Sequence, residues 1–344
     1  MSENYLRWLA SDTPTLWWHD SADSQELTEG LAQGASGVTT NPVLTARALK
    51  GQPDHWQRRI GALDASLDPT ERAQRLVEGV VGETAERLLP QFAGLGGRTG
   101  YVCAQVDPGL QGNREAMMTM AKRFHAIAPN IAVKLPVTAA GLDVLEDCVA
   151  QGITITATVS FTVPQVLAVG ERHMRGVARA EQAGVTPGDC FAVIMIGRID
   201  DYIRDVALDE GASVTESDIR QVGLAVSKRA YRIYRERGYR AVLLVAALRG
   251  TYHMTELAGA DFIMSIHPRY QTQLLAPDVR EEERIGIEVP SGVIERLATI
   301  REFRRAYEPD LMPPSEFLGF GATQRTASQF KEVGWSLLEQ FAGW

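Results

Sequence analysis

The sequence predicts an α/β protein built as a (β/α)8 barrel. Eight short apolar runs rich in strand-forming residues alternate with longer amphipathic stretches. Several of the runs begin just after a glycine that can end a helix, at Gly152, Gly238 and Gly259. This alternation is typical of a parallel sheet covered by helices, and eight such units in about 270 residues fit a closed barrel. A doubly wound open sheet stays an alternative, because a strand count does not prove closure.

Each predicted strand is an apolar run bounded by turn or helix signals. In chain order the runs are Thr15–Asp20, Ser36–Thr40, Gly100–Val106, Asn130–Leu135, Ile153–Val159, Cys190–Ile196, Arg240–Ala246 and Asp261–Ile266. Helical periodicity lies between most of them, for example over Arg114–Ala128 and Glu216–Gly238. Arg280–Trp344 predicts further helices with a proline-rich break at Met312–Pro314. We expect one domain over residues 1–344, in which about 270–344 form a helical extension packed on the barrel.

Composition excludes several classes of protein. A chain of 344 residues that is 45% hydrophobic can bury a large core, and 23% charged residues argue against disorder. The net charge of -8 argues against nucleic-acid binding, so the basic run Lys228–Arg240 is interpreted as a solvated helix face. No apolar run approaches the ~18 residues of a membrane span, and the first residues lack a signal-peptide pattern.

The remaining class is a cytoplasmic protein of a reducing compartment. Three cysteines are too few for a disulfide framework. The six histidines show no HxH or HExxH spacing, so no metal site is expected. We expect neither nucleic-acid nor membrane partners, and a homo-oligomer stays open.

Polar residues lie at the C-terminal ends of several predicted strands, where barrel enzymes place catalysis. Side chains alternate along a strand, so Thr154, Thr156 and Thr158 share one face of the fifth strand, which we expect to point inward and toward the mouth. Gln105 ends the third strand and Asp20 the first, whereas His19 faces the other way and is expected to be structural.

Lys134 is the most unusual cation of the sequence. The chain has only five lysines against thirty arginines, and Lys134 is the one at the end of an apolar strand. Lys122 and Lys228 lie in amphipathic helices, and Lys50 and Lys331 lie beside polar stretches, so these four have ordinary surroundings. Buried lysines are rare unless paired or functional. Two interpretations stay open: a structural ion pair with a strand carboxylate, or Schiff-base chemistry, for which burial favours the neutral, nucleophilic amine.

Four segments, in this order, resemble the transaldolase family. Gly37–Leu49 (GVTTNPVLTARAL) resembles the family's Thr-Thr-Asn-Pro motif after the second strand. Ala132–Glu171 resembles the segment that holds the Schiff-base lysine. Ile196–Tyr202 (IGRIDDY) and Glu256–Pro268 resemble the family's Gly-Arg strand end and its last strand. Together the segments cover roughly Trp17 to Pro268.

The resemblance implies transfer of a dihydroxyacetone unit between sugar phosphates, as in the pentose phosphate pathway, without a metal or organic cofactor. It implies that Lys134 forms the Schiff base with a ketose phosphate and that Asp20 transfers protons. Thr158, with Gln105, would hold the catalytic water. The implied substrate contacts are Asn41, Thr39 and Thr156 for the dihydroxyacetone unit, and Arg198 and Arg249 for the phosphate.

Departures from the family pattern are confined to the residues around this core. Gln105 stands where transaldolases place a glutamate, and related fructose-6-phosphate aldolases share the glutamine. The other departures from the usual residues are Val193 and Met195 for a serine and an aromatic, Thr156 for an asparagine and Ala247 for a serine. This pattern predicts intact lysine chemistry and leaves the identity of the sugar open. The alternatives are a fructose-6-phosphate-type aldolase, a relative with a divergent sugar, or a non-catalytic sugar-phosphate-binding barrel.

Three of the implied site residues also have structural interpretations. Asp20 could cap the following helix, although Ser21 or Asp23 could do the same. Asn41 before Pro42 could be a turn residue. Arg198 could pair with one of two acidic neighbours, Asp200 or Asp201.

Overall fold

The structure is a computed structural model that describes residues 4–61, 63, 66–94 and 96–341. Over these residues eight parallel strands form a closed barrel in chain order, and the first strand pairs with the last. The prediction of a (β/α)8 barrel is confirmed, and the open sheet is excluded by this closure. The strands are β1 Leu16–His19, β2 Gly37–Val38, β3 Tyr101–Gln105, β4 Ile131–Pro136, β5 Ile155–Thr158, β6 Cys190–Met195, β7 Val242–Ala246 and β8 Ile263–Ile266.

Helices surround the barrel and continue beyond it. They are α1 Tyr5–Ser11, α2 Ser24–Ala32, α3 Pro42–Gly51, α4 Pro53–Ile60, α5 Pro69–Leu88, α6 Arg114–His125, α7 Ala139–Ala150, α8 Val163–Gln182, α9 Ile196–Glu210, α10 Glu216–Ile219, α11 Val222–Arg237, α12 Thr251–Thr255, α13 Pro268–Leu274, α14 Ser291–Leu297, α15 Arg301–Tyr307, α16 Pro314–Phe317, α17 Gly321–Phe330 and α18 Ser336–Glu339. Among these residues, no helix combines the length and apolar character that a membrane crossing requires.

Each predicted strand overlaps an observed one; β4 runs one residue past its predicted end, to Pro136, and β2 has only two residues. Thr39 still bonds across to β1 through its amide, 2.9 Å from the His19 carbonyl. The chain then turns at Asn41, whose side chain caps α3, and Pro42 takes the first helical position. The strand is short because the cap and the proline begin the helix at once.

The predicted helix Glu216–Gly238 is in fact two helices, α10 and α11. Thr215 and Asp218 form a capping box at the start of α10. The amide of Gly223, in the first turn of α11, donates to the Asp200 carboxylate at 2.7 Å. This side-chain acceptor satisfies a donor that an unbroken helix would pair internally, so a second helix begins there.

Lys228 is buried, so the expectation of ordinary surroundings for it is wrong. It is 6% exposed, and its amine donates to the carbonyls of Arg284, at 3.1 Å, and Ile287. Burial lowers the pKa of the Lys228 amine. The basic run that it opens is therefore only partly a solvated face, because residues 280–290 cross over it without forming a helix.

The C-terminal helices contact the mouth of the barrel. A π-helical turn, Lys331–Trp335, lies against α3 so closely that a Cβ on Gly334 would be 2.9 Å from the Cβ of Pro42. We propose on this basis that the chain forms one domain with a helical extension from about residue 270. The last three residues of the chain, 342–344, lie outside the residues that the structure describes.

Aromatic side chains fill the barrel below the strand ends. Trp18 of β1 and Tyr101 of β3 both pack edge-on against Phe191 of β6, with ring centroids 4.7 and 5.2 Å away. All three residues are fully buried, and Trp17 is buried as well. This packed layer fills the part of the barrel interior that lies away from the C-terminal ends of the strands, where barrel enzymes place their sites.

His19 gives the fold a dependence on pH. It is fully buried, and Gln271 bonds its Nδ1 at 3.0 Å. Burial lowers the pKa of His19 to about 4, despite the opposing attraction of Asp20. Below about pH 6.5 the unfolded histidine binds a proton that the folded one does not, so stability falls between pH 6.5 and 4.

We expect the titration of His19 to lower the free energy of unfolding by about 2 kcal/mol between pH 7 and pH 5. Urea unfolding of the native chain and of His19→Asn at both pH values measures it. The variant should lose about 2 kcal/mol less than the native chain over this interval. An equal loss in both proteins would show that His19 is protonated alike in the folded and unfolded states.

Candidate active site

A cavity of about 280 Å³ opens at the C-terminal ends of the strands. Its lining brings together residues from distant parts of the chain, among them Asp20, Asn41, Lys134, Arg198 and Arg249. Lys134 lies on β4, and the other four residues follow β1, β2, β6 and β7. Five of the nine site residues predicted from the sequence therefore lie around one opening.

Lys134 lies on β4 and is only 6% exposed. Its Nζ donates to the Thr40 carbonyl at 3.1 Å, and none of the ion pairs in the described chain includes it. The interpretation as a structural ion pair is therefore wrong. The amine thus lies beside a neutral acceptor and lines the cavity at the strand ends.

Gln105 and Thr156 flank Lys134 on the neighbouring strands. The register pairs Lys134 with Gln105 of β3 on one side and with Thr156 of β5 on the other. Side chains of paired residues in a parallel sheet point to the same face, so all three point into the barrel. Cys103 lies one layer below, with its sulfur 3.4 Å from the Thr156 hydroxyl.

Two buried polar atoms near this row have no hydrogen-bond partner in the described chain. They are the Gln105 Oε1 and the Thr158 hydroxyl. Buried polar atoms are usually paired, and exceptions concentrate where a ligand or reactive water binds. The next residue, Val159, has a φ of 53°, and Ala247 at the end of β7 has a φ of 57°. Such left-handed conformations are costly for these residues and cluster at functional sites.

Asp20 is held by the hydroxyl of Thr39. Thr39 Oγ1 lies 2.7 Å from Asp20 Oδ1 and 2.6 Å from the hydroxyl of Ser265 on β8. The alternative of a helix cap is wrong, because Asp23 caps α2 by accepting from the amides of Gln25 and Glu26. The carboxylate of Asp20 is thus oriented by a side chain and left facing the cavity.

Asn41 does act as a turn residue. Its Oδ1 accepts from the amides of Val43 and Leu44 at 2.9 and 3.1 Å, which caps α3. It also lines the cavity with Lys134. The cap engages the amide oxygen, so the amide nitrogen is the part that can contact a ligand.

Arg249 is fixed from several directions. Its guanidinium donates to Asp201 at 2.9 Å and to the Ala247 carbonyl at 3.0 Å. Its backbone amide donates to Nδ1 of His253 at 3.2 Å, and the other ring nitrogen lies 2.9 Å from Asp200. Because Nδ1 accepts, the proton of His253 is assigned to Nε2, facing Asp200. This fully buried pair holds the loop that carries Arg249.

Arg198 does not pair with Asp200 or Asp201, so that alternative is wrong. Its guanidinium donates to Gln329 at 2.5 Å and lies over the Phe330 ring. Burial and the nearby positive charge of Arg249 lower the pKa of Arg198 to about 10. Two arginines that repel each other at the edge of a cavity favour the binding of an anion between them.

The cavity also contains residues that sequence reasoning missed. Further lining residues are Arg47, Ser265, His267, Gln329 and Phe330. Ser265 could have been predicted in the same way as Gln105, because it is a polar residue near the end of an apolar strand. Gln329 and Phe330 lie on α17, far along the chain from any strand, and no local pattern could have placed them. No group of histidine, cysteine and acidic residues in the described ranges is arranged to hold a metal ion.

Comparisons with known proteins agree on one group of enzymes. A family profile described as transaldolase/fructose-6-phosphate aldolase matches residues 17–307. A transaldolase of Neisseria gonorrhoeae is 30% identical over 213 residues, which cover 61% of this chain and 59% of that protein. A transaldolase of Mycobacterium bovis is 30% identical over 301 residues, covering 81% and 79%. One of Thiobacillus denitrificans is 28% identical over 68% of each chain. The match thus spans about three-fifths of the neisserial relative and most of the mycobacterial one.

Proposed function

Because the chain belongs to the transaldolase/fructose-6-phosphate aldolase family, we propose that it transfers a dihydroxyacetone unit from a ketose phosphate to an aldose phosphate. The observation that carries the proposal is the position of Lys134. It is a buried amine without a carboxylate partner, and it lines one cavity with Asp20 and with two arginines. This arrangement suits a Schiff base with a phosphorylated ketose.

The reaction begins with the neutral amine of Lys134, which attacks the C2 carbonyl of the ketose. The resulting carbinolamine loses its C2 hydroxyl as water and becomes the iminium. Asp20 supplies the proton for this departure, having taken it up when Lys134 became neutral, and a water held between Gln105 and Thr158 relays it. The unpaired Gln105 Oε1 and Thr158 hydroxyl support this role, since each can bond such a water.

Asp20 then takes the proton from the C4 hydroxyl, and the C3–C4 bond breaks. The bonding electrons move to the iminium, which becomes a lysine-bound enamine, and an aldose phosphate leaves. The enamine attacks the aldehyde of an acceptor, Asp20 returns the proton to the new hydroxyl, and hydrolysis of the iminium frees Lys134. The Thr39 hydroxyl keeps the Asp20 carboxylate aimed for both transfers.

Substrate contacts follow from the same arrangement. Asn41, Thr39 and Thr156 contact the hydroxyls of the dihydroxyacetone unit beside Lys134. Arg249 and Arg198 bind the terminal phosphate, since two guanidiniums provide several charge-assisted hydrogen bonds. We place this exchange of sugar phosphates in the pentose phosphate pathway and in the cytoplasm. No metal or organic cofactor takes part in these steps.

A fructose-6-phosphate aldolase is the second candidate, and Gln105 favours it. An amide beside Lys134 can orient a water but cannot exchange a proton as a glutamate does. If hydrolysis of the enamine outruns its capture by an aldehyde, dihydroxyacetone is released.

The two outcomes differ when the acceptor is withheld. We expect the chain incubated with fructose 6-phosphate alone to release at most about one equivalent of glyceraldehyde 3-phosphate, with sustained turnover only after erythrose 4-phosphate is added. Enzymatic assay of free dihydroxyacetone measures the competing outcome. Many equivalents of dihydroxyacetone per chain without acceptor would establish the aldolase instead.

A further inference from the structure

Arg198 and Arg249 lie together at the mouth of the barrel but have different kinds of partner. The side chain of Arg249 passes Gly197 so closely that a Cβ on Gly197 would overlap with it, which places the two arginines side by side. Asp201 lies 2.8 Å from the Arg249 guanidinium, so a carboxylate pairs with that positive charge. Arg198 instead donates to the neutral amide oxygen of Gln329 at 2.5 Å, and it forms no ion pair within the described residues.

The C-terminal extension supplies both residues that contact the Arg198 guanidinium. Gln329 and Phe330 end α17, and the centroid of the Phe330 ring lies 5.2 Å from the guanidinium carbon. Phe330 is buried and Gln329 is exposed, and both line the cavity that contains Lys134. The amine of the next residue, Lys331, lies 3.2 Å from Glu339 and 3.6 Å from Asp107 after β3. These contacts fix the end of α17 against the barrel, so its last two residues can hold Arg198 in place.

The neutrality of Gln329 matters for an anion that binds at Arg198. The amide oxygen accepts from one of the five N–H groups of the guanidinium and carries no charge. The buried Nε of Arg198 has no hydrogen-bond partner in the part of the chain that the structure describes. A glutamate at position 329 would pair with the guanidinium and repel a phosphate, whereas the amide orients the guanidinium without either effect. The positive charge of Arg198 is therefore left for a ligand.

We propose that Gln329 is a specificity-determining residue, which positions Arg198 and leaves its charge available to the phosphate of the sugar. The inference rests on the proposed function, since it adds a residue to the phosphate contact of the same site. Gln329 acts through Arg198, so it is a positioning residue and takes no part in the chemistry at Lys134. A negative charge at position 329 should weaken the binding of phosphorylated sugars and leave that of unphosphorylated sugars unchanged.

Binding of glucitol 6-phosphate tests the role of Gln329 apart from the chemistry, because this sugar alcohol lacks the carbonyl that Lys134 attacks. Titration calorimetry of the full chain measures its Kd. We expect Gln329→Glu to weaken binding about 10-fold, and Gln329→Met, which removes the amide without adding a charge, to weaken it about 3-fold. Ser328→Glu is the matched control, since Ser328 is exposed on the same helix and does not line the cavity. It should leave the Kd within about 2-fold of the native value.

Borohydride trapping of ketoses separates this role from a purely structural one, because it needs no acceptor. Gln329→Glu should raise the concentration of fructose 6-phosphate for half-maximal labelling about 10-fold and leave that of fructose within about 2-fold. The inference is overturned if Gln329→Glu binds glucitol 6-phosphate as Ser328→Glu does, or if labelling by both ketoses changes equally. Failure of the proposed function looks different: no ketose is then trapped on Lys134, and calorimetry still reports whether Gln329 affects the binding of the phosphate.

Discussion

Replacing Lys134 by arginine is expected to lower kcat/KM for sugar transfer and for cleavage by at least ~10⁴-fold, because no other group can form the iminium. Arginine can still donate to the Thr40 carbonyl, but it stays protonated and is a poor nucleophile. A coupled assay with fructose 6-phosphate and erythrose 4-phosphate measures the loss.

Two controls test whether the loss of activity is caused by the missing lysine amine. Lys122→Arg, on the exposed face of α6, should leave the rate within about 2-fold of the native value. Thermal unfolding of Lys134→Arg should show a folded protein. Activity above about one-tenth of the native value in a folded Lys134→Arg chain would contradict the assignment.

Replacing Asp20 by asparagine is expected to lower the rate of C–C bond cleavage by about 10²- to 10⁴-fold, the usual contribution of a positioned acid or base. Asparagine can still accept from the Thr39 hydroxyl, so the geometry should persist while the proton acceptor is lost. The Schiff base should still form, though slowly. Release of glyceraldehyde 3-phosphate in single-turnover experiments measures the step.

Asp23→Asn is the matched control, because Asp23 is a neighbouring acid that caps α2 and asparagine caps helices equally well. It should keep a near-native rate. If both asparagine variants cleaved at the same rate, Asp20 would have no part in proton transfer.

The barrel itself could be predicted from the sequence because strands and helices have different hydrophobic periods. Alternation along β3, β4 and β5 places Gln105, Lys134 and Thr156 on one face, and the observed register brings them side by side. The pattern thus predicted that these polar side chains lie near the strand ends, and the register shows that they are neighbours. It could not prove closure, which depends on the pairing of β1 with β8.

The rest of the site depends on contacts between distant segments. Lys228 sits in an amphipathic helix, and only the crossing of residues 280–290 buries it. Gln329 and Phe330 reach Arg198 across more than a hundred residues of chain. The sequence does not distinguish Asp20 from Asp23 as the N-cap of α2, because both are aspartates. The observed backbone places Asp23 at the N-cap.

Trapping with borohydride tests the central claim most directly. The chain is incubated with a ketose phosphate, reduced, digested and sequenced by mass spectrometry. The proposed mechanism predicts a reduced adduct on the peptide that contains Lys134, dependent on both ketose and borohydride and absent from Lys134→Arg. The absence of any adduct over a panel of phosphorylated and free ketoses, or an adduct confined to another lysine such as Lys228, would contradict it.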